Sequence, residues 1–212
     1  MAHYHPSDEL LMSFAAGQLP NALGIMTACH LQKCQQCSTK VGMYEELGAE
    51  LIDSTQAISM GNNSLNNLLN RLDLEPTEAK TPEFTGDPRT PKPLRRFMPE
   101  YFDKLSWSGF SSSIKEYILP FSDEAYTAKF YKISAGKELP VHTHKGNEFT
   151  LVMEGSFSDN SGDYHSGDFI LAGTQTIHQP KAAKDCDCIC FAVVDAPLKM
   201  TGFFGRMLNP FL

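Results

Sequence analysis

No stretch of this chain approaches the roughly 20 consecutive apolar residues that a membrane-spanning helix needs. Its first residues, Met1-Ala2-His3-Tyr4-His5-Pro6, lack a basic segment followed by an apolar run, so they do not read as a secretory signal. A cytoplasmic protein without membrane contact is the expectation. Basic charge is also scarce: 18 Lys and Arg stand against 25 Asp and Glu, a formal net charge of −7. The shortage is concentrated in residues 1–75, where Lys33, Lys40 and Arg71 face eight acidic side chains, a balance of −5. Phosphate neutralisation by Lys and Arg supplies most non-specific nucleic-acid affinity, so direct DNA binding by this segment is set aside. An acidic face either keeps a domain soluble or meets a basic protein partner. Dispersed cysteines are missing too. The six cysteines fall into two local groups, Cys29/Cys34/Cys37 and Cys186/Cys188/Cys190, which favours a metal site or buried thiols over a disulfide framework.

At 212 residues and 42% hydrophobic content, the chain can bury a core in one domain or two modest ones. Ser7 is an N-cap candidate, Asp8 and Glu9 suit the positive end of a helix, and Leu10, Leu11, Phe14 and Ala15 form an apolar stripe that Gly17 can end. A second helix is predicted from Pro20 to about His30 or Leu31, carrying Leu23, Ile25, Met26 and Cys29. A third begins within Cys34-Gln35-Gln36-Cys37 and continues through Val41, Met43, Tyr44, Leu47, Leu51 and Ile52. Leu65, Leu68, Leu69 and Leu72, at i, i+3, i+4 and i+7 with Asn63 or Ser64 as cap, define a fourth. Its leucine face either packs on the other three helices or docks into a partner's groove.

Composition then changes abruptly. Six of the thirteen prolines lie between Pro76 and Pro99 (with Pro82, Pro88, Pro91 and Pro93 between them), without apolar periodicity, and residues 76–104 read as a semi-extended linker. Beyond it the pattern is that of strands. Residues 114–119, 125–133, 148–154, 168–171 and 188–194 are rich in β-branched and aromatic side chains and are separated by Gly, Asp, Asn and Ser, which predicts an all-β sandwich or barrel. Residues 197–212, with Phe203, Phe204 and Phe211, read as a tail covering an open edge or end of that barrel.

Two constellations carry metal chemistry. His30 stands four residues before Cys34, and Cys34 and Cys37 form a Cys-x-x-Cys; imidazole and thiolate are the usual ligands of tetrahedral zinc. His3 and His5 are both candidates for a fourth position. Cys29 lies among apolar residues and reads as core. In the β unit, His142 and His144 share one face of a strand because side chains alternate, and Glu148 opens the next strand after Gly146-Asn147. This nitrogen and oxygen set suits zinc, iron, manganese, copper or nickel. His165 reads as a surface histidine. Cys186, Cys188 and Cys190 alternate along a strand, which puts all three on one face as buried thiols or, alternatively, as a redox row.

The spacing Gly136-x5-His142-x-His144-x3-Glu148-x6-Gly155 resembles the first motif of the cupin superfamily at every fixed position. The second motif is recognisable in Gly167 and His178, with departures at Gly173, Gln175 and Ala182. The resemblance implies a jelly-roll barrel in which His142, His144, Glu148 and His178 bind one divalent metal: zinc, iron or manganese. Taken together, the four helices, the His30-x3-Cys34-x2-Cys37 arrangement, the proline-rich segment and the cupin resemble ChrR-type zinc anti-sigma factors over nearly the whole chain. That resemblance implies an α+β multidomain protein: a zinc-stapled four-helix domain over residues 1–75, a linker over 76–104 and a cupin with its tail over 105–212. It implies His5, His30, Cys34 and Cys37 as structural zinc ligands, an extracytoplasmic-function sigma factor as partner, and release of that factor under singlet oxygen or related oxidative stress, without catalysis. The other expectation weighed is a cupin metalloenzyme, such as an iron-dependent dioxygenase, with an accessory zinc domain.

Overall fold

The computed structural model describes residues 2–72, 85–98, 101–120, 125–196 and 198–200. Helix α1 (Asp8–Ala15) starts at its sequence signal: the Ser7 hydroxyl accepts from the Leu10 N–H at 3.3 Å, and Asp8 and Glu9 occupy the first turn. Helix α2 (Asn21–Leu31) follows, and α3 (Gln35–Asp53) is capped by Cys34, whose sulfur accepts from the Cys37 N–H. α4 spans Ser64–Leu72. Leu11 and Val41 join α1 to α3, with Phe14 and Tyr44 packed alongside.

α2 is the most deeply buried of the four helices. Ala22, Leu23, Met26, Thr27, Cys29 and His30 are all inaccessible, the pattern of a helix lodged inside a core. What covers it is the β unit. That unit comprises β1 (Ser108–Ser111), β2 (Ile114–Ile118), β3 (Thr127–Ile133), β4 (His142–His144), β5 (Glu148–Glu154), β6 (Ser156–Ser158), β7 (Asp163–His165), β8 (Phe169–Ala172), β9 (Ile177–His178), β10 (Lys181–Ala182), β11 (Cys188–Val194) and β12 (Leu198–Met200). A six-stranded antiparallel sheet runs β1-β2-β3-β11-β5-β8, and two three-stranded sheets, β10-β6-β7 and β12-β4-β9, complete the jelly roll. β11 is buried at every position because its two faces serve two cores. Cys188, Cys190 and Ala192 meet Tyr131, Val152, Phe157 and Tyr164 in the barrel interior. Ile189, Phe191 and Val193 point the other way, to Phe130, Leu151 and α2.

The expected linker departs from its prediction. Residues 85–98 and 101–104 are folded against the sheet, with 3-10 turns at Lys92–Leu94 and Phe102–Lys104. Leu94, Met98 and Phe102 are at most 2% exposed and share one core with α2 and the barrel. Polar ties hold the segment in place. Asp87, fully buried, accepts from the Arg89 side chain at 2.6 Å and the Phe102 N–H at 3.4 Å, while Arg89 reaches Glu154 on β5 at 2.8 Å. The Arg89 guanidinium holds the Asp87 carboxyl down at about 2. Prolines suppress helical and sheet periodicity, but they do not prevent a chain from laying intervening apolar side chains on a neighbour. Residues 73–84, with Pro76 and Pro82, and Pro99 lie outside the described residues.

Three other expectations are modified. Leu65, Leu68, Leu69 and Leu72 are between 47 and 71% exposed, so among the described residues they do not pack on the other helices. Cys186 is exposed and precedes β11, leaving Cys188 and Cys190 as the buried pair, with their sulfurs 3.7 Å apart. Of the tail, Leu198–Met200 forms β12 on the edge of β4; residues 201–212 lie outside the described residues. Phe102→Ala is expected to lower unfolding free energy by about 3–5 kcal/mol in urea titrations, whereas Leu68→Ala should change it by no more than about 0.5 kcal/mol.

Candidate metal centres

The first centre is assembled from the N-terminal segment before α1, the end of α2 and the start of α3. Ligand atoms of His5, His30, Cys34 and Cys37 all lie within 4.8 Å of one another. His5 Nδ1 is 3.4 Å from both sulfurs. His30 donates its Nδ1–H to the Gly167 carbonyl at 2.8 Å, which leaves Nε2 unprotonated. That Nε2 is buried without a hydrogen-bond partner. A buried, unpaired acceptor beside two thiols is what a cation would satisfy, and burial together with Cys34 pushes the metal-free Cys37 thiol up to about 12. Two sulfurs and two imidazole nitrogens suit a tetrahedral ion with no open position. His3 stands outside the group, so the open choice between His3 and His5 falls to His5.

The backbone around His5 is held by the barrel. Asp168, fully buried, accepts from the His3 and Tyr4 N–H groups through Oδ1 and from the His165 N–H through Oδ2. The Phe169 N–H donates in turn to the Tyr4 carbonyl at 3.0 Å. Gly167, whose carbonyl takes the His30 proton, has φ 101°, a conformation that a side chain would strain. Sequence reasoning assigned Gly167 to a cupin turn and Asp168 to a strand; their reach across to the helical module carries no local signal.

The second centre lies inside the barrel. His142 and His144 sit on β4 and His178 on β9, directly paired with His142. His142 donates Nδ1–H to the Pro140 carbonyl, and His178 donates Nδ1–H to Asp159 Oδ2, both at 2.8 Å. His178 Nε2 lies 3.0 Å from His142 Nε2 and 3.1 Å from His144 Nε2, so three imidazole nitrogens converge on one point. Burial holds His142 and His144 neutral by lowering both to about 4, which keeps a lone pair on each ring for a cation. Glu148 does not close on the three histidines. Its carboxylate lies outside their 4.8 Å group, with Oε2 3.9 Å from His144 Nδ1 and without a hydrogen bond. Burial raises this carboxyl to about 7; Oε1 accepts from the Thr150 hydroxyl at 3.2 Å, and Oε2 is left beside the triad without a hydrogen-bond partner. The adjoining cavity is about 40 Å³ and is lined by Tyr131, Leu139, Phe157 and Cys190 among others. His165 is exposed, as expected for a surface side chain. Asp159, which fixes the His178 tautomer, was missed because Asp159-Asn160-Ser161-Gly162 reads locally as a turn.

Fold and sites together define a class: a helical module with a thiol–imidazole centre built onto a cupin barrel with a histidine centre. Residues 100–196 match the ChrR cupin-like domain family. The anti-sigma-E factor ChrR of Cereibacter sphaeroides is 33% identical over 208 residues, 98% of this chain and 97% of that protein. The crystal structure of Rhodobacter sphaeroides SigE in complex with the anti-sigma ChrR contains a chain that superimposes with a TM-score of 0.81 at 31% identity, covering 92% of this chain and all of that one. An RmlC-like cupin from Ralstonia eutropha aligns over 46% of this chain at 24% identity and a TM-score of 0.40. The chain belongs to the ChrR family of anti-sigma factors. Among the described residues, no helix is long and apolar enough to cross a membrane. Elemental analysis should find that Cys37→Ala removes one equivalent of bound divalent metal while the barrel keeps its own, and that His142→Ala does the reverse.

Proposed function

We propose that this chain sequesters an extracytoplasmic-function sigma factor in the cytoplasm and releases it in response to singlet oxygen or related oxidants. The observation that carries the reading is the uncovered apolar face of the helical module. α2 is occupied by the barrel, but Met43, Leu47, Leu51 and Ile52 on α3 are 55–71% exposed, and the four leucines of α4 are open as well. Met12, Tyr44, Leu47, Leu51 and Ile52 line a groove of about 510 Å³ between α1 and α3. Apolar faces of this extent, set in a segment with a balance of −5, suit amphipathic helices of a basic partner. In the superimposed crystal structure the anti-sigma ChrR is in complex with SigE, and a sigma factor is a protein of the kind such a surface would hold.

Zinc is the ion we assign to His5, His30, Cys34 and Cys37, because a closed two-sulfur, two-nitrogen set offers it tetrahedral coordination and leaves no position for substrate. Its part is structural: binding free energy at such a centre is folding free energy of the module. For the barrel centre we assign a divalent ion, zinc or else iron or manganese, held by His142, His144 and His178 with Glu148 moving in as fourth ligand. When bound, such an ion offers a Lewis-acidic position to small oxygen species. A 40 Å³ space takes a metal and one or two water-sized ligands. That size favours sensing a small oxidant over turning over an organic substrate, which is the ground for ranking a dioxygenase second.

Pulldown with an extracytoplasmic-function sigma factor tests the proposal. Leu47→Glu combined with Leu68→Glu should weaken capture by at least about 100-fold with thermal stability unchanged. His142→Ala or Glu148→Ala should leave capture intact and blunt release on exposure to singlet oxygen. Loss of capture in the barrel variants would contradict a division between clamp and sensor, and oxygen uptake by the iron-loaded protein would favour the dioxygenase reading.

A further inference from the structure

The two metal centres are joined by a path that avoids the proline-rich segment. From the barrel, His178 Nδ1–H donates to Asp159 Oδ2 at 2.8 Å; both side chains are less than 10% exposed. The other oxygen of Asp159 accepts from the Tyr164 hydroxyl at 3.3 Å and from the Ser161 N–H at 2.8 Å. The Tyr164 ring packs on the Tyr4 ring, with centroids 4.7 Å apart and planes inclined at 54°. Tyr4 is the neighbour of His5, and its N–H and C=O are tied to Asp168 and Phe169 of the barrel. The Tyr4 hydroxyl lies directly over Gly162, where the Cβ of any other residue would collide with it. His178 is therefore connected to Tyr4 through side chains in contact, and Tyr4 to His5 through their shared peptide bond.

We propose that Tyr4, Tyr164 and Asp159 are positioning residues that couple the two centres, so that a change at the barrel histidines is transmitted to the thiol–imidazole centre through His178, Asp159, Tyr164 and Tyr4. The inference rests on the reading that both centres hold metal. Its physical logic is that Asp159 can fix the His178 ring only while its own second oxygen is held. If His178 turns or is lost, Asp159 relaxes, the Tyr164 hydroxyl loses its acceptor, and the ring on which Tyr4 rests shifts. Tyr4 cannot follow freely because its N–H and carbonyl are tied to Asp168 and Phe169, so displacement of its ring strains the peptide that joins it to His5. Lys33 also spans the seam, reaching the Met153 carbonyl at 3.0 Å and the Ser166 hydroxyl at 2.8 Å. Its backbone N–H bonds the His30 carbonyl at 2.9 Å, but its side-chain hydrogen bonds go to none of the four residues of this path, so truncating that side chain serves as an internal control.

The experiment uses the full chain with cobalt(II) as probe at the thiol–imidazole centre, where thiolate-to-cobalt charge-transfer absorption reports the intact site. Loss of that band on adding excess chelator gives a release rate. His178→Ala is expected to raise this rate about five- to tenfold, Asp159→Asn to raise it by a smaller factor, and Lys33→Ala to leave it within about twofold of the parent. In a Tyr164→Phe background, and independently in Gly162→Ala, where the added methyl displaces the Tyr4 ring, the effect of His178→Ala should shrink towards onefold, because the connection is already cut. If His178→Ala leaves release unchanged, or its effect multiplies undiminished in both backgrounds, the coupling is overturned while the centre itself stands. A parent protein that binds cobalt without a thiolate band would overturn the metal reading and this inference with it. Circular dichroism of each variant identifies any that fails to fold; Tyr164→Phe, which removes a single hydroxyl, and Gly162→Ala provide the same test by separate routes.

Discussion

The bond from His30 Nδ1–H to the Gly167 carbonyl is the constraint on which the molecule's organisation depends. Both groups are buried at the seam between helices and barrel, 137 residues apart in sequence. Leaving such a group unpaired costs roughly 1–3 kcal/mol, so helical module and barrel cannot slide past one another cheaply. The same bond fixes the imidazole tautomer, and with it the nitrogen offered to Cys34 and Cys37. Asp168 extends the constraint by collecting three N–H groups, two from the N-terminal segment and one from the barrel. A centre whose four ligands are all in the first 37 residues thus receives its outer support from residues 167–169.

Burial is divided unequally among the helices, and the division has a functional sense. α2 spends most of its surface on cohesion, with Met26 and Cys29 packed into the core shared by Leu94, Met98 and the sheet. α1 and α3 use one face each, and α4 uses none among the described residues. The apolar area left open is therefore concentrated on the elements least involved in holding the molecule together. A partner can occupy that area without competing with the core. The two centres differ in the same spirit: one is a closed sulfur and nitrogen set, the other a nitrogen triad with a carboxylate that has one unpaired oxygen and a small cavity beside it.

The residues of both candidate centres were legible in the sequence because their grouping is a matter of short spacing. His30, Cys34 and Cys37 are within one helix junction, and His142, His144 and Glu148 within one hairpin. Helix starts at Ser7 and Cys34 and strands 148–154 and 188–194 were equally legible, since caps and alternation are local properties. The proline-rich segment misled for the same reason. Local composition indicated an extended spacer, whereas Leu94, Met98 and Phe102 find their partners on strands far along the chain. Cys186 was assigned to a strand by alternation, but the strand begins two residues later.

The sequence by itself offered the residues of two candidate metal centres, the order of helices before strands and the acidic balance of the first 75 residues, because each depends on residue type and spacing over a few turns. Tertiary structure decided that His5 rather than His3 joins the sulfurs, that Glu148 stands back from the histidine triad, and that Tyr4 rests on Tyr164 within reach of Asp159. It also decided which leucines remain open. Those outcomes depend on where distant backbone segments come to lie, and on which buried hydrogen-bonding groups must find one another when they do.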